Sequence, residues 1–381
     1  MRSFALISVF GLSLALAQPS LAQTQSVKII GLVELSGTGA TSGTNFNDGA
    51  KLAVKEINAA GGILGHKVEY TASDTQSQPQ VAKALAVRAI DDGAYVVMGP
   101  VFSGSIMVSM AETRRAEIPN FTGGEAAAIT QQGNPYIFRT SFTQSTAMPK
   151  VARYLDNLKA KTVAIIYTNN DFGKGGRDIF MKALEPHGIK VLADISTDPG
   201  QVDFSGAVLK AKQANADALF VYTNEEEAAR ALRELRKQGY DKPIVGETVL
   251  TSQKVIELAG AAANGAVAHV GLTADAPDPG IRAFASKFQK EYNYKPDHNG
   301  LKGYTGMYIV KAVTERVGKF DPKAFADAMH SVRLSAKEYP GILMDVTFDK
   351  NGDLDRESFM TKVVNGKQEV IATLPPLSAG K

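Results

Sequence analysis

The chain has 381 residues, with 42 Lys and Arg against 39 Asp and Glu, a formal net charge of +3 and no cysteine. This length is enough for two domains with buried cores. The near-balanced charge excludes the basic surface that nucleic-acid binding needs, and the missing cysteines exclude disulfides, Cys-ligated zinc, thiol nucleophiles and a lipidated cysteine anchor.

The first 22 residues have the layout of a secretory signal peptide. Arg2 precedes an apolar run at 4–17, and Ser-Leu-Ala at 20–22 supplies a small-residue cleavage site. The run is shorter than the ~20 apolar residues of a membrane-spanning helix. We expect a cleaved signal peptide and a mature chain that is exported, soluble and not lipid-anchored. An uncleaved N-terminal anchor is the alternative.

Short β-branched runs then alternate with longer stretches of helical periodicity, which is the pattern of a doubly wound α/β sheet. In chain order the pattern predicts a strand at 27–33, a glycine-rich loop at 36–44, a helix at 47–59, a strand at 67–70, a helix at 81–90 and a strand at 95–98. The pair Gly61-Gly62 ends the first of these helices.

The same order recurs in the middle of the chain. It predicts a strand at 162–167, a loop with three glycines at 168–176, a helix to about 185, and strands at 190–195 and 218–221. Lys67 and Lys190 each begin a strand. In both cases one helix follows, and the next strand begins 28 residues after the lysine. Two tandem lobes of one topology explain this most simply, and coincidental spacing is the alternative.

The last third departs from a plain tandem repeat. It predicts a strand at 266–272, helices at 281–292 and 305–317, a third helix after Asp321-Pro322, and strands at 344–348, 359–364 and 368–371. Asn351-Gly352 indicates a hairpin turn. Strands this late in the chain must join sheets begun earlier, so we expect several crossings between the lobes, which together form a hinge.

Cofactor and metal motifs are incomplete. The loop at 37–43 reads G-x-G-x-x-x-G rather than G-x-G-x-x-G, and no strand-end acid follows ~20 residues later, which disfavours a dinucleotide. Asp349, Asn351, Asp353 and Asp355 stand two apart like calcium ligands. Leu354 and Met360, however, stand where an EF-hand needs Gly and Glu. We expect no cofactor, no metal and no enzymatic activity, with an exported enzyme on the same fold as the alternative.

Two other segments place small polar residues after predicted strands and before helices. They are Gly99–Ser105 and Thr122–Ala127. Unpaired N–H groups and the positive end of a helix attract a carboxylate at such a place, and a serine hydroxyl adds a directed donor. We therefore predict a carboxylate site around Ser103 and Ser105, although ordinary helix capping explains either segment alone.

Four segments share the pattern of one family. They are Leu35-Ser36-Gly37, the stretch from Asp48 to Gly65, the loop Gly99–Ser105 and Phe138-Arg139-Thr140. Together they resemble the periplasmic Leu/Ile/Val-binding proteins of ABC transporters. The resemblance runs from Val27 to the predicted hairpin.

This resemblance implies an α/β fold of two doubly wound lobes of similar topology joined by a three-crossing hinge, the type I periplasmic-binding fold. Lobe 1 would comprise residues 26–141 plus 273–348, and lobe 2 residues 142–272 plus 349–381. The crossings would fall near 141–142, 272–273 and 348–349.

The resemblance also implies a ligand site. The ligand carboxylate would be held by Ser103 and the segment from Gly124 to Ala126, and the ligand ammonium by Glu247. The full expected ligand-binding set is Ser42, Phe102, Ser103, Ser105, Gly124, Glu125, Ala126, Phe172, Asn224 and Glu247.

Several positions depart from the family pattern. Ala126 lacks an expected hydroxyl, Ser42 replaces an aromatic residue and Asn224 replaces a tyrosine. The family's disulfide cysteines are Ser77 and Phe102 here.

Three site assignments have structural alternatives. Glu125 either faces a cationic ligand or is an acid favoured in a first helical turn, and we prefer the second interpretation. Core packing is the alternative for Phe172, and a surface position is the alternative for Glu247.

The expected function is that of a monomeric periplasmic receptor. It would close on a small ligand, with an amino acid as the leading candidate, and deliver it to the permease of an ABC transporter. A related small carboxylate such as an aromatic acid is the alternative ligand, and sensing instead of transport is the alternative role.

Overall fold

A computed structural model describes residues 25–376 of the chain. The predicted signal peptide at 1–22 lies outside the described residues. The described part is an α/β protein in which helices and strands alternate along most of the chain, as the periodicity predicts.

Helices and strands have the following bounds. The strands are β1 Ser26–Val33, β2 Lys67–Asp74, β3 Val96–Met98, β4 Asn120–Thr122, β5 Ile137–Arg139, β6 Thr162–Thr168, β7 Lys190–Thr197, β8 Ala218–Tyr222, β9 Ile244–Glu247, β10 Val267–Val270, β11 Arg333–Leu334, β12 Val346–Phe348, β13 Leu354–Asp355, β14 Ser358–Val364 and β15 Lys367–Leu374. The α-helices are α1 Ala40–Ala59, α2 Pro79–Asp91, α3 Ser103–Arg115, α4 Gln144–Asn157, α5 Asp171–Leu184, α6 Ser205–Gln213, α7 Glu225–Lys237, α8 Gln253–Ala259, α9 Pro279–Tyr292, α10 His298–Val317 and α11 Pro322–Met329. Over residues 25–376, no helix combines the length and apolar character needed to cross a membrane.

Two large sheets have the same strand order. The first runs β2-β1-β3-β4-β5, and the second runs β7-β6-β8-β9-β10 with β14 and β15 added beyond β10. The pairs within each set of five are parallel, whereas β14 pairs antiparallel with both β10 and β15. This repetition confirms the prediction of two lobes of similar topology, and we call the units built on the first and second sheets lobe 1 and lobe 2.

Each sheet is covered by helices on both faces, which is why its central strands read as continuous apolar runs. In β1, Ile29 joins the core shared with α1 and α10, whereas the next residue, Ile30, joins the core shared with α2. In β6, Ile165 and Ile166 likewise belong to different cores. Because adjacent strand residues point to opposite faces, one run of apolar residues fills two layers.

The chain passes between the lobes more than once. After β5 it enters α4, which packs on α5 of lobe 2, and after β10 it returns through α9 and α10, which pack on α1 of lobe 1. The last crossing differs from the expected position near 348–349. Strand β13 pairs with β12, and the Gly352 carbonyl accepts from the Arg139 N–H of β5, so residues 349–355 remain with lobe 1. The chain leaves lobe 1 between Asp355 and Ser358.

Two helices begin earlier than predicted. Helix α1 begins at residue 40 and not 47, so part of the expected glycine loop is helical, and α10 begins at residue 298 and not 305. The polar, glycine-containing starts have low helix propensity, but the two helices pack closely against each other. A Cβ on Gly49 would lie 2.0 Å from the Gly300 oxygen, and a Cβ on Gly303 would lie 2.0 Å from the Phe46 oxygen. These glycines are required by the close backbone approach.

Candidate functional site

A cavity of about 320 Å³ lies between the lobes, where the carboxyl ends of the parallel strands meet the starts of the following helices. This edge is the usual ligand site of doubly wound sheets. The predicted residues in its wall are Ser42, Phe102, Ser103, Ser105, Gly124, Glu125, Phe172 and Asn224. Ala126 and Glu247 are buried beside the cavity but do not line it.

The β3–α3 loop presents two serines to the cavity. Helix α3 begins at Ser103 and not at about 106, which puts both Ser103 and Ser105 in its first turn. The Ser103 hydroxyl accepts a hydrogen bond from the Ala126 N–H (3.3 Å), and Ser105 Oγ is buried with no hydrogen-bond partner in the described part of the chain. Both hydroxyls therefore keep a proton available to donate to a ligand.

The buried carboxyl of Glu34 is hydrogen-bonded to the backbone of the β3–α3 loop. Glu34 accepts hydrogen bonds from the N–H groups of Val101 and Phe102, each at 3.1 Å. Burial raises the pKa of Glu34 to about 7, and the two N–H groups partly oppose that shift. The loop that carries the serines is thus fixed before any ligand arrives.

The segment after β4 is held by Arg139, which is fully buried. Its guanidinium donates to the carbonyls of Gly124 (2.7 Å) and Ala126 (3.1 Å) and pairs with Asp353 (2.6 Å). The Ser141 hydroxyl also donates to the Gly124 oxygen (2.7 Å). These bonds fix the backbone of the predicted carboxylate segment.

Lys302 of α10 is the main residue that the sequence reasoning missed. Its side chain is only 5% exposed, yet it lines the cavity. Lys302 Nζ donates to Glu125 Oε1 (2.9 Å) and to the Gly123 oxygen (3.2 Å). An ammonium has three protons, so one remains for a ligand anion. The early start of α10 also brings His298 and Asn299 to the wall.

The acids near Lys302 have perturbed ionisation. Burial, followed by the nearby charge of Glu247, raises the pKa of Glu125 to about 7, while Lys302 opposes the shift. Burial also raises the pKa of Glu247, whose Oε1 accepts from the Thr248 hydroxyl (2.6 Å) and lies 3.3 Å from His269 Nδ1. Burial lowers the pKa of His298 well below its usual range, so this imidazole is neutral. Lys302 is thus the cation that faces the cavity from α10.

Lobe 2 contributes the starts of α5 and α7. Phe172 is stacked on Tyr222, with ring centroids 4.2 Å apart, so it is both a packed residue and part of the cavity wall. Asn224 precedes α7, and its N–H donates to Glu227 (3.3 Å). The next residue, Glu225, was not among the predicted site residues but lines the cavity.

Two side-chain hydrogen bonds join the lobes at the cavity. The Ser42 hydroxyl donates to Glu225 Oε1 (2.7 Å), and the Thr41 hydroxyl donates to Glu226 Oε1 (3.0 Å). Each bond runs from the start of α1 in lobe 1 to the start of α7 in lobe 2. The structure is therefore closed over the cavity.

Residues 26–368 match the family described as periplasmic binding protein. The chain belongs to this family. The match spans both lobes and all the segments that surround the cavity. The resemblance inferred from the sequence and the fold of this binding protein are thereby confirmed.

Named relatives and solved structures agree with this assignment. The Leu/Ile/Val-binding protein BraC3 of Rhizobium johnstonii is 28% identical, covering 87% of this chain and 89% of its own length. The leucine-, isoleucine-, valine-, threonine- and alanine-binding protein of Pseudomonas aeruginosa is 26% identical, covering 94% of each chain.

Two solved structures extend the comparison to bound ligands. A branched-chain amino acid transporter substrate-binding protein of Streptococcus pneumoniae in complex with isoleucine has a TM-score of 0.83 at 26% identity, covering 92% of this chain and all of its own. A solute-binding protein of Rhodopseudomonas palustris in complex with benzoate has a TM-score of 0.84 at 21% identity, covering 92% and 97%, and shows likeness of fold alone.

Proposed function

We propose that this binding protein takes up an amino acid in the cavity between its lobes and delivers it to the permease of an ABC transporter. The observation that carries the proposal is the buried cavity wall of lobe 1. It combines two serine hydroxyls at a helix start with the ammonium of Lys302, a set that suits a carboxylate. The named relatives, which bind branched-chain amino acids, support the ligand class.

Ligand would bind lobe 1 first, with its carboxylate between Ser103, Ser105 and Lys302. Lobe 2 would then rotate about the crossings and add Phe172, Asn224 and Glu225. The bonds from Ser42 and Thr41 to α7 exist only when the lobes are together, so they stabilise the closed form. A permease can distinguish this form from the open one, which is how closure becomes a transport signal.

The remaining parts of the proposal concern the mature protein. It would lose residues 1–22 on export, act in the periplasm without a lipid anchor, and work as a monomer. It would bind its ligand without chemical conversion. The lobe boundaries that fit the strand pairing are 26–141 with 273–355, and 142–272 with 356–376.

An aromatic carboxylate is a second candidate ligand. Phe102 and Phe172 line the cavity from opposite lobes, and a planar ring between them would gain favourable aromatic contacts. The Rhodopseudomonas palustris protein, which has the same fold, was solved in complex with benzoate. The same carboxylate anchors would serve either ligand class.

A thermal-shift screen of the mature protein against amino acids and aromatic acids tests the ligand class. A ligand at a hundredfold excess over Kd stabilises the folded state by ~2.7 kcal/mol. We expect amino acids to give the largest increases in Tm. Increases confined to aromatic acids would favour the second candidate, and increases confined to compounds without a carboxylate would contradict the carboxylate site.

Calorimetric titration of Ser103→Ala with the best ligand tests the carboxylate placement. We expect about tenfold weaker binding, because a hydrogen bond to a charged group contributes ~1.5 kcal/mol or more. Ser109→Ala is the matched control, since Ser109 is buried on the same helix, is bonded to the Ile106 oxygen and does not line the cavity. Unchanged affinity in Ser103→Ala would refute the placement.

A further inference from the structure

Glu225 occupies an unusual position in the cavity wall. It is 2% exposed, lies at the first residue of α7, and accepts a hydrogen bond from Ser42 across the cleft (2.7 Å). Within residues 25–376, no Lys, Arg or His forms an ion pair with its carboxyl within 4.0 Å. A buried carboxylate without a cation is costly unless a ligand supplies one.

The other acids near the cavity differ from Glu225. Glu125 is already paired with Lys302, and Asp171 is exposed at the start of α5. Glu247 does not itself line the cavity, and its carboxyl contacts Thr248, His269 and the Glu125 carboxyl. Glu225 is therefore the acid that combines burial, a place in the wall and no cationic partner in the described part of the chain.

The charges that face Glu225 from neighbouring elements are mainly negative. Burial and then Asp297, at the start of α10, raise the pKa of Glu225 to about 7, with a small contribution from Glu226 on its own helix, while the Ser42 hydroxyl opposes the shift. His298, also in the wall, is neutral because burial lowers its pKa. The surroundings thus favour a positive group beside Glu225.

We propose that Glu225, and not Glu247, receives a cationic nitrogen of the ligand, an ammonium held between Glu225 and the Ser42 end of the cavity. The inference rests on the proposed amino-acid function and adds the residue that recognises the positive charge. The ligand would bring to Glu225 the countercharge that its burial lacks, while its carboxylate would accept from the remaining N–H of Lys302. Closure would then bring Glu225 of lobe 2 into an ion pair with the ammonium of a ligand whose carboxylate is already bound to lobe 1.

The ammonium has two possible sources, the α-amino group or an amino group on the ligand side chain. Three six-carbon probes separate them. Hexanoate has neither group, norleucine has the α-ammonium only, and lysine has both. The ratio of norleucine to hexanoate affinity measures recognition of the α-ammonium, and the ratio of lysine to norleucine affinity measures recognition of the side-chain ammonium.

The test is calorimetric titration of wild type, Glu225→Gln and Glu247→Gln at pH 7.5 with these probes and with the best amino acid of the screen. The amide in Glu225→Gln still accepts from Ser42, so the variant removes the charge and keeps the contact between the lobes. Glu247→Gln is the comparison variant, because it makes the same change in the buried acid to which the family resemblance assigns the ammonium. The Tm of each unliganded variant verifies its folding.

We expect Glu225→Gln to weaken binding of the best amino acid at least tenfold, to reduce one of the two affinity ratios by the same factor, and to leave hexanoate within twofold. Glu247→Gln should change each affinity less than threefold. An equal loss for all probes in Glu225→Gln would show a simple closure contact and overturn the inference, as would a larger loss in Glu247→Gln. Failure of wild type to bind any amino acid would instead overturn the proposed function.

Discussion

The two walls of the cavity are built in different ways. In lobe 1 each polar segment is held by a buried partner: Glu34 holds the β3–α3 loop, Arg139 holds the segment after β4, and Lys302 is paired with Glu125. In lobe 2 the wall includes side chains at helix starts, where Phe172 packs on Tyr222 and Glu225 is hydrogen-bonded to Ser42 of lobe 1.

This difference between the two walls indicates that the lobes have different roles in ligand binding. A wall fixed in advance loses little conformational entropy when ligand arrives, so lobe 1 is suited to the first encounter. A wall whose polar contacts include the opposite lobe is complete only after closure, so lobe 2 is suited to discrimination between ligands. Each of the following experiments alters one wall and asks whether these roles hold.

Removal of the Lys302 charge should have the largest effect. Lys302→Met leaves the Glu125 carboxyl buried without a cation, and breaking such a pair costs about 3 kcal/mol of unfolding free energy. Chemical denaturation measures the loss. Adding Glu125→Gln should recover part of it. The control Lys55→Met removes an exposed pair with Glu291 and should cost under ~1 kcal/mol. Equal losses of unfolding free energy in Lys302→Met and Lys55→Met would mean that the pair of Lys302 with Glu125 does not fix the lobe 1 wall.

Arg139→Lys tests whether Arg139 fixes the backbone of the lobe 1 wall before ligand binds. Lysine keeps the charge but not the planar fork that bonds Gly124 and Ala126 together. We expect about tenfold weaker ligand binding, because one or two hydrogen bonds of ~1 kcal/mol each are lost at the carboxylate segment. Titration calorimetry measures it, with the exposed Arg153→Lys as control. Wild-type affinity in Arg139→Lys would show that the segment needs no such support.

Lowering the pH tests the contribution of the Glu225 charge in the lobe 2 wall. In the closed structure the pKa of Glu225 is raised to about 7, so the carboxyl gains a proton as pH falls below that value and no longer attracts an ammonium. Over pH 5 to 7 the ligand's own carboxylate and ammonium keep their charges. Affinity should fall by up to about tenfold per pH unit below 7. Because Asp297 and Glu125 also have raised pKa values, Glu225→Gln measured in parallel isolates the Glu225 contribution, and its profile should be flatter.

Ser42→Ala should give the smallest effect. It removes one hydrogen bond between the lobes, worth ~0.5–1 kcal/mol, and so lowers affinity about threefold by favouring the open form. Small-angle scattering with and without ligand measures the degree of closure. Ser36→Ala is the control, because its bond to Asp74 lies within lobe 1. If the two variants behave alike, the Ser42 bond does not contribute to closure.

Much of the fold was predictable because its central strands are fully buried. A strand such as β8, whose five residues are all buried, reads as an apolar run whatever surrounds it. The repeat spacing from Lys67 and Lys190 also reflects the strand order, since both lysines open strands at equivalent places in the two sheets. These signals are local in sequence.

The helix starts were not predictable in the same way. The first residues of α1 and α10 are rich in Gly, Ser, Thr and Asn, which disfavour helix in isolation. Only the close contact of the two helices overrides that preference. With α10 begun at 305, Lys302 falls in a loop, whereas its true start makes His298, Lys302 and Thr305 a polar stripe on a buried helix.

Eight predicted site residues lie in the cavity wall, whereas Glu225 was overlooked. It is one of three consecutive glutamates that begin α7, and acids are ordinarily favoured at such a position. Which of the three lines the cavity depends on the rotation of α7 and on the approach of lobe 1. Neither is encoded in the spacing of the chain.

The close contact between α1 and α10 has a consequence for ligand preference. Because glycine lets main chain meet main chain there, the position of α10 that places Lys302 in the cavity is set by backbone contact. At the start of α7 in lobe 2, the contacts with α1 are made by side chains, as in the bond from Ser42 to Glu225. We therefore expect that a few substitutions at 172, 224 and 225 change ligand preference while Lys302 keeps its place in the cavity.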